Sequence, residues 1–230
     1  MKQTSTLVVL SGGMDSATLA HLAASNGPIV TFSVDYGQRH GERELACAEK
    51  IARQLGAAHL IAQMGWLGPM IAGKSALLNG SIAVPTAEYN ADSMASTVVA
   101  NRNAVIGNLA AAVAIARGLN RVWLGVHGGD HHLYPDCRPG FVSALDHLVN
   151  VGNEGGLPEC WDGVEAPFVN MTKADIAKIG DGLGVDWTQT WSCYNGREHH
   201  CGACGTCVER RAAFAEARLD DPTKYESQGE

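Results

Sequence analysis

The sequence predicts an α/β fold: a doubly wound, mostly parallel sheet with a small cysteine-rich module on its C-terminal side. Three observations predict it. Short β-branched runs alternate with segments of helical apolar spacing, which is the pattern of successive βαβ units. The first run, Leu7-Val8-Val9-Leu10, passes through a glycine turn, Ser11 to Ser16, into the helical segment Ala17 to Leu22. From Val185 onward the chain becomes rich in Trp and Cys. Residues 1–184 therefore read as the α/β domain, and 185–230 as the module packed on it.

Each element follows from local chemistry. Asn26-Gly27-Pro28 closes the first helix, and Ile29 to Val34 reads as a second buried strand. Asp35-Tyr36-Gly37-Gln38 lies beyond that strand's C-terminal end, where open α/β sheets bind ligands. Arg39 to Leu55 is predicted helical, with Leu45, Ala48, Ile51, Ala52 and Leu55 on its apolar face and Gly56 as its stop. His59-Leu60-Ile61 is a short third strand. Gly65 to Thr97 has no steady period and is expected to be a long functional or mobile loop. Val98 to Asn103 opens an alanine-rich helix running to about Arg117, and Arg121 to Val126 is the fourth strand. Phe141 to Val149 is predicted helical, and Glu165 to Phe168 forms a last edge strand. Thr172, with Asp175 three residues on, caps a helix that ends at Leu183 and Gly184.

At 230 residues, 46% of them apolar and 18% charged, the chain buries one sizeable core. A net charge of −7 gives no electrostatic reason for direct nucleic-acid binding. The longest apolar stretch, Ala104 to Ala116, is too short to span a bilayer, so no membrane association is expected. The N-terminus does not read as a signal peptide, and seven cysteines then argue for thiols or a metal site rather than disulfides. A soluble cytoplasmic protein is expected.

The glycine turn is the first chemical feature. Glycines let a backbone approach an anion, while Ser11, Ser16 and the amides at the helix start supply donors to phosphate. No lysine follows the last glycine, which excludes the Walker loop, and the G-x-G-x-x-G dinucleotide pattern is missing too. The second feature is Cys201, Cys204 and Cys207 at three-residue spacing, with Cys193 eight residues upstream. Four thiolates are what one tetrahedral structural zinc needs. An iron–sulfur cluster and free thiols are the alternatives, and His199 and His200 read as solvated neighbours. Trp187 and Trp191 read as packing for the module.

The loop resembles the PP-loop of the N-type ATP pyrophosphatases, which grips the β,γ-pyrophosphate and leaves the α-phosphorus open to attack. With Asp35 to Arg39, Tyr134 to Arg138, Ser192 to Gly196 and Cys201 to Cys207 added in order, nearly the whole chain resembles the 7-cyano-7-deazaguanine synthases. The resemblance implies a PP-loop fold, a four-cysteine zinc module and often a homodimer. It implies 7-carboxy-7-deazaguanine as substrate, ammonia as nitrogen source, and ATP with Mg²⁺ as activator. The acid becomes an acyl adenylate and then an amide, and a second ATP activation permits dehydration to the nitrile. One departure stands out: Val99-Ala100-Asn101-Arg102-Asn103 has Ala100 where the family usually has proline, which relaxes the backbone before the helix.

Residue by residue, Leu10, Ser11, Gly12, Gly13, Met14, Asp15, Ser16, Ala17, Thr18, Leu19 and Ala20 are expected to hold ATP. Arg102, Asn103, Tyr134, Asp136 and Arg138 are expected to bind the acid, with Asp136 accepting hydrogen bonds from its guanine-like edge and Arg102 facing its carboxylate. Arg102, Asp130 and His131 are the candidates for the chemistry, with His127 a further proton carrier. The metal ligands are Cys193, Cys201, Cys204 and Cys207. Three rival functions remain on the sequence alone. One is a relative that stops at the amide or couples the activated acid to a protein amine. The others are a PP-loop tRNA sulfur transferase, which the net charge disfavours, and a non-catalytic nucleotide-binding module.

Overall fold

The short apolar run Thr6–Val9 forms β1, the central strand of a five-stranded, all-parallel sheet ordered β3-β2-β1-β4-β5. The computed structural model describes residues 4–78, 80–86, 96–130 and 134–226, with Asp130 described by its backbone only. The remaining strands are β2 (Ile29–Asp35), β3 (Ala58–Gln63), β4 (Arg121–Trp123) and β5 (Gly163–Glu165). The chain winds outward from β1 to β3, then returns to β4 on the other side. That reversal makes the C-terminal end of the β1/β4 pair a topological switch point, where open sheets leave a crevice.

Alternation along β1 sends Leu7 and Val8 to opposite faces, both fully buried. Val8 joins the core formed with α1 (Met14–Asn26), α2 (Gly41–Gln54) and α6 (Lys173–Gly182). Leu7 joins the opposite core, formed with α4 (Arg102–Ala116) and α5 (Pro139–Gly152). The sheet is thus covered on both faces, as its apolar strands require.

The strand boundaries differ most from expectation in two places. β4 stops at Trp123 rather than Val126: Leu124 still donates to the Glu165 carbonyl, and residues 125–127 then leave the sheet to line a cavity. β5 begins at Gly163 and ends at Glu165, ahead of the expected start of its register, since Pro167 has no N–H to give a ladder. A short helix, α3 (Leu67–Ile71), lies inside the segment expected to be irregular, and residues 79 and 87–95 of that segment are outside the described ones.

The tail holds a helix that its Trp and Cys content masked, α7 (Gly205–Ala217). Val185, Trp187, Ala213, Phe214 and Ala217 belong to the same core cluster as α1 and β1. Trp187 meets Phe214 edge-on at 5.2 Å. Arg210 of α7 is fully buried and spends its donors on Asp221 Oδ1 (3.1 Å), Thr190 Oγ1 (2.8 Å), Ser192 Oγ (3.3 Å) and the Trp187 carbonyl (3.2 Å). A buried guanidinium satisfied this fully clamps three segments of tail together. The Thr172–Asp175 capping box at the start of α6 is present as expected. Among the described residues, no helix is long and apolar enough to cross a membrane.

Candidate functional site

A cavity of about 250 Å³ opens at the C-terminal ends of β1, β2 and β4. Its first end is the glycine turn. Ser16 Oγ accepts from the Ser11 amide (3.2 Å), lies 3.1 Å from Ser11 Oγ, and donates to the Gly13 carbonyl (3.1 Å). Gly12 has φ +87°, and a Cβ there would overlap the Glu44 carbonyl of α2. Glycine is therefore required for the loop to fold down against α2. From the other side, the Trp191 amide donates to the Gly12 carbonyl at 2.9 Å. With helix α1 starting at Met14, the turn presents amides and hydroxyls to a bound anion.

Two side chains of different kinds, a lysine and a histidine, border this loop. Lys173, at the first position of α6, lies 3.7 Å from Asp15 Oδ2 and 3.1 Å from Glu209 Oε2. His127, 3% exposed, lies 3.7 Å from the same Asp15 oxygen, and its Nδ1 accepts from the Gly129 amide at 3.2 Å. That bond places the proton on Nε2, facing Asp15. The Gly128 amide donates to the Met171 carbonyl at 2.9 Å, which brings His127 and Lys173 side by side from different segments. Asp15 Oδ1 is buried and lacks a hydrogen-bond partner among the described residues, a vacancy that fits a cation beside phosphate.

The second end is built by Tyr36 and Gln38 beyond β2, His40 and Glu44 at the start of α2, Arg102 and Asn103 opening α4, and Tyr194. Burial opposes charge on Arg102, yet Tyr36, Tyr194 and Asp136 around it hold its pKa above the ordinary value. Burial raises the Tyr36 phenol, and the neighbouring Arg102 pulls it back. Burial lowers His40, against the pull of Glu44. Asn103 donates to the Asp136 carbonyl (3.3 Å) and reaches Cys137 Sγ (3.7 Å), while Tyr134 meets Thr97 Oγ1 at 2.9 Å. These bonds dock the 134–138 segment on the start of α4.

The four tail sulfurs lie within 4.8 Å of one another. A tetrahedral zinc with Zn–S of about 2.3 Å has S–S edges of about 3.8 Å. Cys204 Sγ stands 4.0 Å from Cys193 Sγ and 3.5 Å from Cys207 Sγ, so the donor set fits. Amides of Cys201 and Cys204 donate to Cys193 Sγ and Cys201 Sγ, each at 3.3 Å, stabilising thiolate charge. Hydrogen bonding with Cys193, then Cys207, pulls the Cys204 thiol far below its usual range. His200 is buried rather than solvated, its ring centroid 4.2 Å from that of Trp191 at a tilt of 40°, with its Nε2 accepting from the Ser192 amide. His199 keeps the exposed position.

The structure brings together Leu10, Ser11, Gly13, Met14, Asp15, Ser16, Arg102, Asn103 and Tyr134 around one cavity. Ala17, Thr18, Leu19 and Ala20 are fully buried core residues of α1 and do not line it. Asp136 and Arg138 also stand outside its lining. Asp130 ends a 3-10 turn, and His131 lies outside the described residues. Lys173, Glu44 and Glu209, which the sequence does not mark as site residues, also line the cavity, as does Tyr194 of the Ser192–Gly196 motif. Lys173 carried one signal, its place at a capped helix start beyond a strand end.

Comparison with known proteins agrees in one direction. The family model described as queuosine biosynthesis protein QueC matches residues 5–218. The chain is 45% identical over 223 residues to the 7-cyano-7-deazaguanine synthase of Marinobacter nauticus, covering 96% of this chain and 97% of that one. It is 42% identical over 225 residues to that of Porphyromonas gingivalis, with 98% and 99% covered. Against that of Rhizobium johnstonii it is 44% identical over 226 residues, with 97% and 92% covered.

Proposed function

The chain belongs to the QueC family of queuosine biosynthesis proteins, and from that premise we propose that it converts 7-carboxy-7-deazaguanine and ammonia to 7-cyano-7-deazaguanine at the expense of ATP. One observation carries the reading: a single cavity joins the anion-binding loop to the half-buried Arg102. A carboxylate is a poor electrophile, so activation must come first. The loop amides, Ser11 and Ser16 hold the pyrophosphate, and Lys173 stabilises the charge that develops as it leaves. Arg102 holds the acid's carboxylate toward the α-phosphorus.

The carboxylate oxygen attacks the α-phosphorus, pyrophosphate departs, and an acyl adenylate results. Ammonia then attacks the acyl carbon, loses a proton and expels AMP to leave the amide. The amide oxygen attacks the α-phosphorus of a second ATP and expels pyrophosphate; loss of AMP and of both nitrogen-bound protons then gives the nitrile. His127 Nε2 and Asp15 form the pair positioned to move protons beside the loop.

Mg²⁺ is assigned to Asp15 Oδ1, where it would offset phosphate charge. Zinc is assigned to Cys193, Cys201, Cys204 and Cys207, in a structural role with one ion per chain. The S–S distances support a single ion over an iron–sulfur cluster, which spreads its thiolates over several irons. A homodimer and a cytoplasmic location complete the proposal. The reaction is tested by supplying the acid, ATP and ¹⁵N-ammonium. AMP that forms only with the acid, and a nitrile product carrying one ¹⁵N, are expected. Acid-independent AMP, or the amide as final product, overturns the reading.

A further inference from the structure

Among the described residues, three acidic side chains line the cavity: Asp15, Glu44 and Glu209. Two of them belong to the phosphate end. Asp15 faces His127 and Lys173, and Glu209 is paired with Lys173. Glu44, on the first turn of α2, abuts Gly12 through its backbone carbonyl, but its side chain, 18% exposed, is directed to Gln38 and His40. Its carboxylate meets Gln38 Nε2 at 3.4 Å and His40 Nε2 at 3.6 Å, both through Oε2. Both distances are long for a hydrogen bond to a charged acceptor. Among the described residues, no donor reaches Oε1. A mostly covered carboxylate with this much unused acceptor capacity is matched to donors on whatever binds there.

The chemistry of the two ligands decides which one suits it. The pairing edge of adenine offers one donor, the 6-amino group, beside one acceptor, N1. A carboxylate would meet that N1 lone pair to lone pair. The pairing edge of a 7-deazaguanine offers N1–H and the 2-amino group, two adjacent donors that fit the two oxygens of one carboxylate. The same substrate carries a negative carboxylate on its far side, and this end of the cavity also holds Arg102. Arg102 and Glu44 both act electrostatically on Tyr36 and on His40, so cation and anion share one set of neighbours. Asp136, expected from the sequence to play the acceptor, stands outside the cavity lining and holds Asn103 through its backbone carbonyl.

We propose that Glu44 accepts the N1–H and 2-amino donors of the 7-deazaguanine substrate and thereby sets the selectivity for a guanine-like base. Gln38 and His40 are positioning residues that each engage Oε2 at long range, leaving Oε1 and the remaining acceptor capacity of Oε2 to the two donors of the ligand. The assignment rests on the reaction proposed above.

The test is calorimetric titration of 7-carboxy-7-deazaguanine and of its counterpart lacking the 2-amino group into the full-length, metal-loaded protein. Wild type, Glu44→Gln and Glu44→Asp are compared, with a non-hydrolysable ATP analogue titrated in parallel. Wild type is expected to prefer the 2-amino compound by about 10- to 100-fold, because the analogue leaves a covered acceptor unpaired. In Glu44→Gln the acid should bind at least about tenfold more weakly, with the preference collapsing to near unity and affinity for the ATP analogue unchanged. Glu44→Asp retains both oxygens and should keep the preference at lower affinity, which separates recognition from a folding defect. A Glu44→Gln protein that keeps the wild-type preference overturns the assignment, as does a loss confined to the ATP analogue. A wild type that binds the acid but ignores its 2-amino group overturns the assignment alone. A wild type that binds no acid overturns the reaction as well.

Discussion

The phosphate loop and the cysteine knot are both short glycine-containing turns, yet they are finished in opposite ways. The knot completes itself: its four sulfurs come from residues 193–207, and its amide-to-sulfur bonds stay within that span. The loop is completed from far along the chain, by α2 beneath Gly12, by His127 and Lys173 beside Asp15, and by the Trp191 amide on the Gly12 carbonyl. Dependence therefore runs one way. Trp191 sits two residues from Cys193 and its indole N–H donates to the Cys193 carbonyl at 2.7 Å, so the knot holds one wall of the loop. Among the described residues, no hydrogen bond runs from the loop to the four cysteines themselves.

That asymmetry can be broken at each side in turn. The largest effect is expected from Cys204→Ser. Structural zinc contributes on the order of 10 kcal/mol to small modules, so loss of one buried ligand should release the metal and unfold the tail. ATP binding should fail with it. Metal analysis together with ATP titration checks this, and retained ATP affinity in metal-free protein would separate the two regions.

Next comes Gly12→Ala, which places a Cβ against the Glu44 carbonyl at a left-handed φ. Acid-dependent AMP formation should fall by at least about 100-fold, given the geometric precision such sites need, while the metal content of the tail stays at the wild-type level. Lys173→Met tests the distant completion by charge alone. Removal of one stabilising cation should cost about 100- to 1,000-fold in the rate of AMP release, with the melting temperature little changed.

The smallest effect belongs to Thr172→Ala, which removes the cap that presents Lys173. A loss of about 2–4 °C in Tm is expected. Hydrogen bonds from Thr172 hold the Asp175 carboxyl below its ordinary pKa. A depressed folded-state pKa contributes stability above the unfolded value and loses it as pH falls through the folded value. The gap between wild type and variant should therefore narrow on acidification below the usual carboxylate range, as thermal melts at pH 7 and pH 3 would show.

The same contrast explains what was legible in the sequence. The knot could be read nearly whole, because its spacing is its geometry. So could the strands β1 and β2, where apolar runs end at glycine or at a polar turn. Lys173 and Glu44 could not be read, since each comes to the cavity through the winding of the sheet and looks locally like an ordinary helix-start charge. Asp136 and Arg138 were conspicuous in a dense polar cluster, but the 3-10 turn at Pro135–Cys137 leaves both outside the lining. The helix α7 was hidden because Gly205, Thr206 and Cys207 at its start are poor helix formers, selected by the knot instead.

The apolar face of α1 has a consequence for how the molecule is made. Ala17, Ala20 and Ala23 belong to a core cluster that Ala213, Phe214 and Ala217 help to close. At about 5–20 residues per second of synthesis, the helix behind the loop waits on the order of ten seconds or more for those residues to emerge. During that interval an apolar surface is exposed on the growing chain. Nascent chains stopped short of α7 should consequently be the ones that chaperones retain and proteases clear.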